Sequence, residues 1–171
     1  MKDSDHEKLA GIIKDINIVM MTTTDAKGKM HSRPMATMAF EKSDRFVGTV
    51  WFYSKKESLK VHDIEEDKEV LLTYANSSSQ NYVVINGLAG VERDKLKIVS
   101  YWNPSLKEWF PKGIEDPELV MISINIINAE IWDAPPSKMA KLLGVAKSLV
   151  TGQHYEEKKL GSHQIGPTEI H

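Results

Sequence analysis

The sequence predicts a mainly β protein of the α+β class, a small closed or partly closed barrel of antiparallel strands with helices around it. Three observations lead to this prediction. Runs of β-forming residues are short and are separated by tight polar turns, and some of these runs contain glycines that favour bends. Neither a βαβ rhythm nor a G-x-G-x-x-G motif is present, which argues against a dinucleotide-binding Rossmann fold.

The first part of the chain predicts one helix followed by three strands. Ser4 and Glu7 have the spacing of a capping box and precede apolar residues at helical intervals: Leu9, Ile12, Ile13 and Ile16. Pro34 has no amide hydrogen, so we expect an edge strand or a bulge where it stands. The three strands are predicted at residues 17–24, 30–40 and 46–53.

Further along, helices alternate with strands. A second capping box, Ser54 with Glu57, predicts a helix over residues 56–65, and another helix is expected over residues 94–102. Gly87 and Gly90 indicate bends or bulges in the strand that contains them. The remaining strands are predicted at residues 69–75, 82–92, 119–127 and 129–132.

A chain of 171 residues suits one domain with a core of its own. We expect this domain to span residues 1–152, with a last helix that begins at Pro135 and carries apolar residues at helical spacing. Residues 153–171 are polar and are expected to form a loose tail.

Composition excludes several classes of function. No cysteine is present, so disulfides, thiolate zinc sites and cysteine nucleophiles are ruled out. The 22 basic and 24 acidic side chains give a net charge of −2, and only three of the basic residues are arginines, which argues against a nucleic-acid binder. No apolar run approaches the ~18 residues of a membrane span, and no signal-peptide core follows Met1. We therefore expect a cytoplasmic protein, and the six histidines show no spacing that predicts a metal site.

Two segments have the residue types of a binding site. In residues 31–35 (His-Ser-Arg-Pro-Met), a proline within a strand frees backbone groups for a ligand, and Arg33 can hold an anion. Taken alone, these five residues fit an ordinary edge strand better. In residues 51–60, three aromatic residues run into a predicted helix start that carries serines and lysines, a combination able to bind phosphate. An ordinary capped helix with solvated lysines explains that segment equally well.

Tryptophan is the third signal. Trp109 stands beside Phe110 in a predicted loop where no core requires it, and aromatic residues in loops often cover planar ligands or subunit interfaces. Trp102, on a predicted helix, is expected to be a core residue.

Together these segments resemble the FMN-binding split barrels related to pyridoxamine 5′-phosphate oxidase. The resemblance rests on residues 31–35 and 51–60, on the glycine-bearing run at residues 81–87, and on the order in which they occur. Residues 109–119 and 130–133 resemble the general stress protein 26 branch of that family. The likeness covers roughly residues 5 to 150.

The resemblance implies a six-stranded antiparallel split β-barrel with flanking helices, a homodimer, and one FMN in each of two interface grooves. Arg33, Pro34 and Met35 would line the isoalloxazine ring, and Phe52, Tyr53 and Ser54 would flank the ring and the ribityl chain. The phosphate would be held by Ser58, Leu59 and Lys60. Gln80 or Asn81 would approach from the next strand, and Trp109 and Trp132 would come from the partner subunit.

One departure from the family pattern concerns the substrate. The oxidase itself holds its vitamin substrate with a C-terminal arginine-and-histidine motif after the tryptophan. In this chain Trp132 is followed by Asp-Ala-Pro-Pro, and no arginine occurs after Arg93. We therefore predict that pyridoxamine 5′-phosphate is oxidised very weakly or not at all.

Three alternatives remain open at this stage. The first is a redox protein that uses FMN, or a deazaflavin in its place, to reduce small molecules. The second is a non-enzymatic flavin-binding or sensing dimer. The third is a single-stranded nucleic-acid barrel, which would need a basic groove beside Trp51, Phe52 and Tyr53 that the net charge hardly supplies. The sequence nominates no general acid or base.

Overall fold

The computed structural model describes residues 3–43, 45–133 and 163–165, and an antiparallel sheet dominates these residues. The helices are α1 (Asp3–Asp15), α2 (Leu59–Glu66) and α3 (Lys95–Ser100), with 3₁₀ turns at Pro104–Glu108 and Gly113–Glu115. The strands are β1 (Ile18–Thr24), β2 (Met30–Ala36), β3 (Ala39–Glu41), β4 (Thr49–Lys55), β5 (Glu69–Asn76), β6 (Asn81–Glu92), β7 (Leu119–Asp133) and β8 (His163–Ile165).

The sheet curls into a half-barrel because its two ends are joined by the chain itself. The strand order is β2-β1-β5-β6-β7-β4-β3, so β2 and β3 lie at opposite ends of the sheet. Only Thr37 and Met38 separate them in sequence. The amide of Thr37 donates to Asn17 O at 2.9 Å beside β1, and the amide of Met38 donates to Trp51 O at 2.8 Å on β4. A flat sheet of seven strands could not satisfy both bonds, because adjacent strands are about 4.8 Å apart.

The strand count differs from the predicted six. The run predicted as one strand over residues 30–40 is β2 and β3, because the chain changes neighbours at Thr37. The two runs predicted over residues 119–127 and 129–132 are the single strand β7, and β8 adds a short pairing to its end. Pro34 lies on β2, an end strand of the sheet, as predicted. The pairing of β6 with β7 is irregular between Asn86 and Gly87, as expected for this glycine, but the extra residue of the bulge is Ile127 on β7.

Both helix starts differ from their predicted capping boxes. Ser4 lies inside α1, which is described from Asp3 onward. Ser54 is in β4, and the residue at the N-terminal cap of α2 is Ser58, so the predicted pairing of Ser54 with Glu57 is wrong. Strand β4 continues to Lys55, two residues beyond the predicted end, because it pairs with β7 throughout.

The core lies on the concave side of the curled sheet. The four apolar residues that the helical spacing predicted, three in α1 and Ile16 directly after it, are all buried there, together with alternate residues of the central strands. Strand β4 is buried on both faces, because Trp51 and Tyr53 join a second apolar cluster with Ile98, Phe110 and Met121. Trp102, expected to be a core residue, is only partly buried and packs against the margin of this second cluster.

The segment that contains α3 is fixed to the sheet by Glu41. This carboxylate accepts hydrogen bonds from Trp51 Nε1 at 2.9 Å, from Lys97 Nζ at 2.9 Å and from the hydroxyl of Tyr101. Lys97 Nζ also lies 4.6 Å from the centre of the Trp51 ring. Burial acts to raise the pKa of Glu41, but these hydrogen bonds and the charge of Lys97 lower it below its ordinary value.

The predicted helix after Pro135 and the tail at residues 153–171 lie outside the described residues, apart from β8. Within the described part of the chain, no helix is long and apolar enough to cross a membrane. No group of three or more histidine, cysteine or acidic side chains among the described residues has the arrangement of a metal site.

Candidate functional site

A cleft of about 430 Å³ opens where β2, β4 and the start of α2 meet the loop that follows α3. Its volume falls in the ~300–1,000 Å³ range of small-molecule sites. Its walls are mostly apolar, with hydroxyl and ammonium groups at one end. The lining residues are Pro34, Met35, Ala36, Met38, Tyr53, Ser54, Lys55, Ser58, Lys60, Leu106, Trp109 and Phe110.

The start of α2 forms the polar end of the cleft. The carbonyl of Ser58 accepts from the amides of Val61 and His62, whereas its side chain makes no capping bond. The Ser58 hydroxyl instead lies 3.0 Å from that of Ser54, the last buried residue of β4. The amides of Leu59 and Lys60 are in the first turn, where a helix has no internal acceptors. These amides and the helix dipole favour an anion at this point.

Lys60 adds a full positive charge to this end of the cleft. Its ammonium makes no hydrogen bond or ion pair with another residue that the structure describes. Burial lowers the pKa of Lys60, and the nearby positive charge of Arg33 lowers it further. Two cations held near each other, one of them with no counter-ion in the described chain, make the cleft attractive to a phosphate group.

Arg33 extends from β2 towards β1 and α2. Its Nη1 donates to Thr23 Oγ1 at 2.7 Å and to Met21 O at 3.4 Å, and its Nη2 lies 3.5 Å from Asp63 Oδ2. The side chain of Arg33 is 20% exposed, whereas that of Asp63 is 2% exposed. Arg33 therefore stands behind the cleft, close to Lys60, instead of projecting into solvent from an edge strand.

Aromatic residues form the opposite wall. The Tyr53 hydroxyl donates to Ile98 O at 2.5 Å, and its ring meets Trp102 edge-on with the centroids 6.0 Å apart. Burial raises the pKa of Tyr53 to about 12, so its hydroxyl keeps its proton and its hydrogen bond. Phe110 is buried, whereas Trp109 is 56% exposed at the rim. This wall suits a flat apolar ring system.

Strand β4 offers backbone groups along the same cleft. Its pairing with β3 ends at Trp51, whose carbonyl accepts from Met38. In an antiparallel strand, alternate residues direct both backbone polar groups to the same side. The N–H and C=O of Tyr53 therefore point in the direction of those of Trp51, into the gap between β4 and β2, where a polar ring edge could bond to them.

Seven of the residues predicted to hold the cofactor line this one cleft: Pro34, Met35, Tyr53, Ser54, Ser58, Lys60 and Trp109. Leu59 is beside it, with its side chain 57% exposed. Phe52 is fully buried in the barrel core, so its side chain cannot flank a ligand and only its backbone is near the cleft. Trp109 was expected from a partner subunit, but it lines the cleft of its own chain.

Arg33, which was expected to line the ring, lies behind the cleft and is not part of its lining. The other three predicted residues, Gln80, Asn81 and Trp132, lie at the far end of the sheet. Asn81 begins β6 and pairs with β7 near its end, one residue from the pair formed by Tyr82 and Trp132. Ser54 pairs with Val120, which precedes Trp132 by twelve residues on β7. That separation corresponds to about 40 Å along an extended strand. Gln80 adopts a positive φ of 56°, and its buried Oε1 has no hydrogen-bond partner among the residues that the structure describes. Within one chain, these three residues do not share the cleft of Lys60.

The sequence prediction did not include several residues that shape this region. Ala36, Met38, Lys55, Leu106 and Phe110 also line the cleft, and of these Phe110 was signalled by its position next to Trp109. Thr23 and Asp63 were missed as partners of Arg33. Asp63 follows Lys60 by three residues and so shares its side of α2, a spacing that could have indicated it.

A family profile and one relative in the curated proteins match most of this chain. A family profile described as pyridoxamine 5′-phosphate oxidase like matches residues 4–156. Protein bli-3 of Neurospora crassa is 28% identical over 160 residues, covering 88% of this chain and 74% of that protein.

Among solved structures, general stress protein 26 of Bacillus anthracis has 28% identity and a TM-score of 0.62, covering 74% of this chain and 92% of that one. The general stress FMN/FAD binding protein of Xanthomonas citri has 22% identity and a TM-score of 0.66, covering 78% of this chain and 92% of that one. At 22% identity, the similarity to the Xanthomonas citri protein shows a shared fold.

Proposed function

The chain belongs to the pyridoxamine 5′-phosphate oxidase-like family, and from that premise we propose that it is an FMN-binding protein whose cofactor lies in the cleft beside Lys60. The observation that carries this proposal is the ammonium of Lys60. It has no partner among the described residues, it is partly buried beside Arg33, and it stands at the start of a helix whose first amides are free. A dianionic phosphate is the ligand group that this combination favours most.

The rest of the cleft fits the other parts of FMN. Pro34, Met35 and the aromatic wall present apolar surface of the kind that a tricyclic ring requires, while the open backbone edge at Tyr53 supplies hydrogen-bonding groups for a polar ring edge. Ser54 and Ser58 can bond to the ribityl chain or to the phosphate. The apolar walls exclude water from one side of the ring.

We further propose that the cofactor site is completed by a second copy of the chain. Gln80, Asn81 and Trp132 lie at the opposite end of the sheet from Lys60 in one chain, and a two-fold arrangement would bring them to the partner's cleft. Two apolar side chains of β1, Ile18 and Met20, are 56% and 41% exposed, and Met20 pairs with Pro34 at the cleft. Such a surface beside a ligand site is suited to a subunit interface.

The proposed activity is an electron transfer to a small molecule in the cytoplasm, a compartment consistent with a chain without cysteine. When bound, FMN supplies the electron-transfer chemistry, and the protein binds and orients the ring. None of the described lining residues is a histidine or a carboxylate. The absence of such groups from this lining also favours the second candidate, a flavin-binding dimer without turnover.

The identity of the cofactor can be tested directly. We expect the purified protein to be yellow, to lose its visible absorbance when a reductant is added, and to release FMN on denaturation, as identified by mass spectrometry. A colourless protein that gains no colour with added FMN would contradict the proposal. Release of a deazaflavin would show that the cofactor is a deazaflavin and not FMN. Consumption of NADPH by the yellow protein with a quinone acceptor would separate an oxidoreductase from a binding dimer.

Charge reversal at Lys60 tests the phosphate assignment. We expect Lys60→Glu to weaken FMN binding by more than about tenfold, or ~1.4 kcal/mol, because it replaces the attracting charge with a repelling one. Riboflavin, which has no phosphate, should be bound as before. Titration by quenching of flavin fluorescence measures both affinities.

Lys68→Glu is the matched control, since Lys68 is exposed beyond the other end of α2. An unchanged FMN affinity in Lys60→Glu, or an equal loss in both variants, would show that the phosphate lies elsewhere.

A further inference from the structure

A buried carboxylate lies behind the cleft, next to the cation pair. Asp63 is 3% exposed and Thr23 is fully buried, yet neither lines the cleft. Burying an ionised carboxylate costs free energy unless it is paired and hydrogen-bonded. Asp63 has both kinds of partner, and the one that pairs its charge is Arg33.

The three side chains form a connected network. Thr23 Oγ1 donates to Asp63 Oδ2 at 2.5 Å and accepts from Arg33 Nη1 at 2.7 Å, while Arg33 Nη2 lies 3.5 Å from the same Asp63 oxygen. A guanidinium has five N–H donors in a fixed plane. The network and Met21 O use three of them, so Nε and one hydrogen of Nη2 have no acceptor among the described residues.

This network joins the strand and the helix that form the polar end of the cleft. Arg33 and Met35 are on the same face of β2, and Met35 lines the cleft. Lys60 and Asp63 are three residues apart in α2 and so lie on neighbouring positions of one helix side. The bonds of Asp63 therefore hold Arg33 at a set position relative to Lys60.

We propose that Thr23 and Asp63 are positioning residues for a phosphate group, and that they make the site prefer phosphorylated flavin to riboflavin. They hold one edge of the Arg33 guanidinium, so that its remaining donors face the phosphate beside Lys60. Asp63 also offsets part of the positive charge that would otherwise push the two cations apart. This inference rests on the proposed function, because it assumes that the ligand of the cleft carries a phosphate.

Two pairs of variants test the network. Thr23→Val removes the hydroxyl at constant shape, and Thr23→Ser keeps it. Asp63→Ala removes the acceptor, and Asp63→Asn keeps one oxygen for the same bonds. For each purified protein, the dissociation constants of FMN and of riboflavin are measured by fluorescence quenching, and folding is checked by circular dichroism.

We expect Thr23→Val and Asp63→Ala to weaken FMN binding by about tenfold while riboflavin affinity stays within about twofold. The ratio of the two affinities should be retained in Thr23→Ser. It should fall less in Asp63→Asn, which keeps the acceptor oxygen but loses the charge, than in Asp63→Ala. A residue with a merely structural role would change both affinities together, so an equal loss for FMN and riboflavin overturns the proposal, as does an unchanged ratio in Thr23→Val.

The outcomes separate this inference from the proposed function. If the unaltered protein binds FMN no better than riboflavin, the phosphate assignment fails and the inference fails with it. If the unaltered protein prefers FMN and Thr23→Val keeps that preference, only the inference fails. Should Asp63→Ala not fold, the comparison of Thr23→Val with Thr23→Ser still decides the question.

Discussion

At the scale of single residues, the protonation of Lys60 controls the charge of the cleft. Burial and the charge of Arg33 both disfavour its ammonium form, so the pKa of Lys60 lies below its ordinary value of 10.5. A bound phosphate would reverse this effect, because it adds a negative charge beside the ammonium. The protein without ligand therefore pays a free-energy cost for this site that ligand binding offsets.

The lowered pKa predicts an alkaline loss of FMN affinity. As pH rises through the pKa of Lys60, the ammonium loses its proton and its attraction for phosphate, so FMN binding should weaken at a lower pH than an ordinary lysine would produce. The phosphate itself stays dianionic above about pH 7. Titrations of FMN between pH 7 and pH 10.5 measure the effect.

Riboflavin and the variant Lys60→Gln are the two controls for that measurement. Riboflavin has the same ring without the phosphate, so ring ionisation affects both ligands equally and cancels in the ratio of their affinities. The ratio should fall with pH in the unaltered protein and should stay level in Lys60→Gln. A level ratio in both proteins would show that Lys60 does not contact the phosphate.

At the scale of elements, Gly87 of β6 faces the bulge that Ile127 makes in β7, and its lack of a side chain lets the two strands pack closely there. The register between β6 and β7 shifts there, and a Cβ atom at position 87 would lie 2.6 Å from Ile124 Cγ2 and 2.9 Å from Asn125 O. The second of these atoms belongs to the backbone of β7 and cannot move without disturbing the sheet. At Gly90, three residues later, such a Cβ would meet side chains only, the Ser123 hydroxyl at 3.0 Å and Glu92 Oε1 at 3.7 Å.

We predict that Gly87→Ala destabilises the fold by about 1–3 kcal/mol, as is usual for overpacking a dense core. In a chain of this length each kcal/mol lowers the melting temperature by roughly 2–4 °C. Gly90→Ala is the matched control and should cost less, because a serine side chain can rotate away. Thermal unfolding followed by tryptophan fluorescence compares the two, and equal melting temperatures would contradict this account of the bulge.

At the scale of the whole molecule, the residues predicted to hold the cofactor are divided between two ends of one sheet. The cleft beside Lys60 and the group formed by Gln80, Asn81 and Trp132 are separated by twelve residues of β7. Twelve residues correspond to about 40 Å along an extended strand. A site that uses both groups therefore needs two copies of the chain.

A mixed dimer tests this arrangement. We expect light scattering to give twice the chain mass of 19.3 kDa. Lys60→Glu alone and the double variant Gln80→Ala/Asn81→Ala alone should each bind FMN poorly at both sites. In a mixed dimer of the two, one cleft would carry both changes and the other would carry neither, so one FMN per dimer should bind with the original affinity. A mixed dimer that binds no FMN tightly would indicate that both groups act within the same chain.

The sequence by itself determined the class of fold, the buried apolar residues of the first helix, the irregular pairing at Gly87, the edge position of Pro34 and the family. Each of these depends on local spacing, backbone freedom or a contiguous motif, which the sequence displays directly. Seven residues that line the cleft could be predicted for the same reason, since six of them lie in two short segments and the seventh, Trp109, stands in a loop beside Phe110.

Only the tertiary structure decided the division of residues 30–40 into two strands, the inward position of Phe52, the capping position of Ser58 and the pairing of Arg33 with Thr23 and Asp63. The physical reason is the same in each case. Contacts between residues that are distant in sequence decide which face of a strand is buried, where the chain changes neighbours and which charges meet. Neither periodicity nor composition shows which distant residues will be in contact.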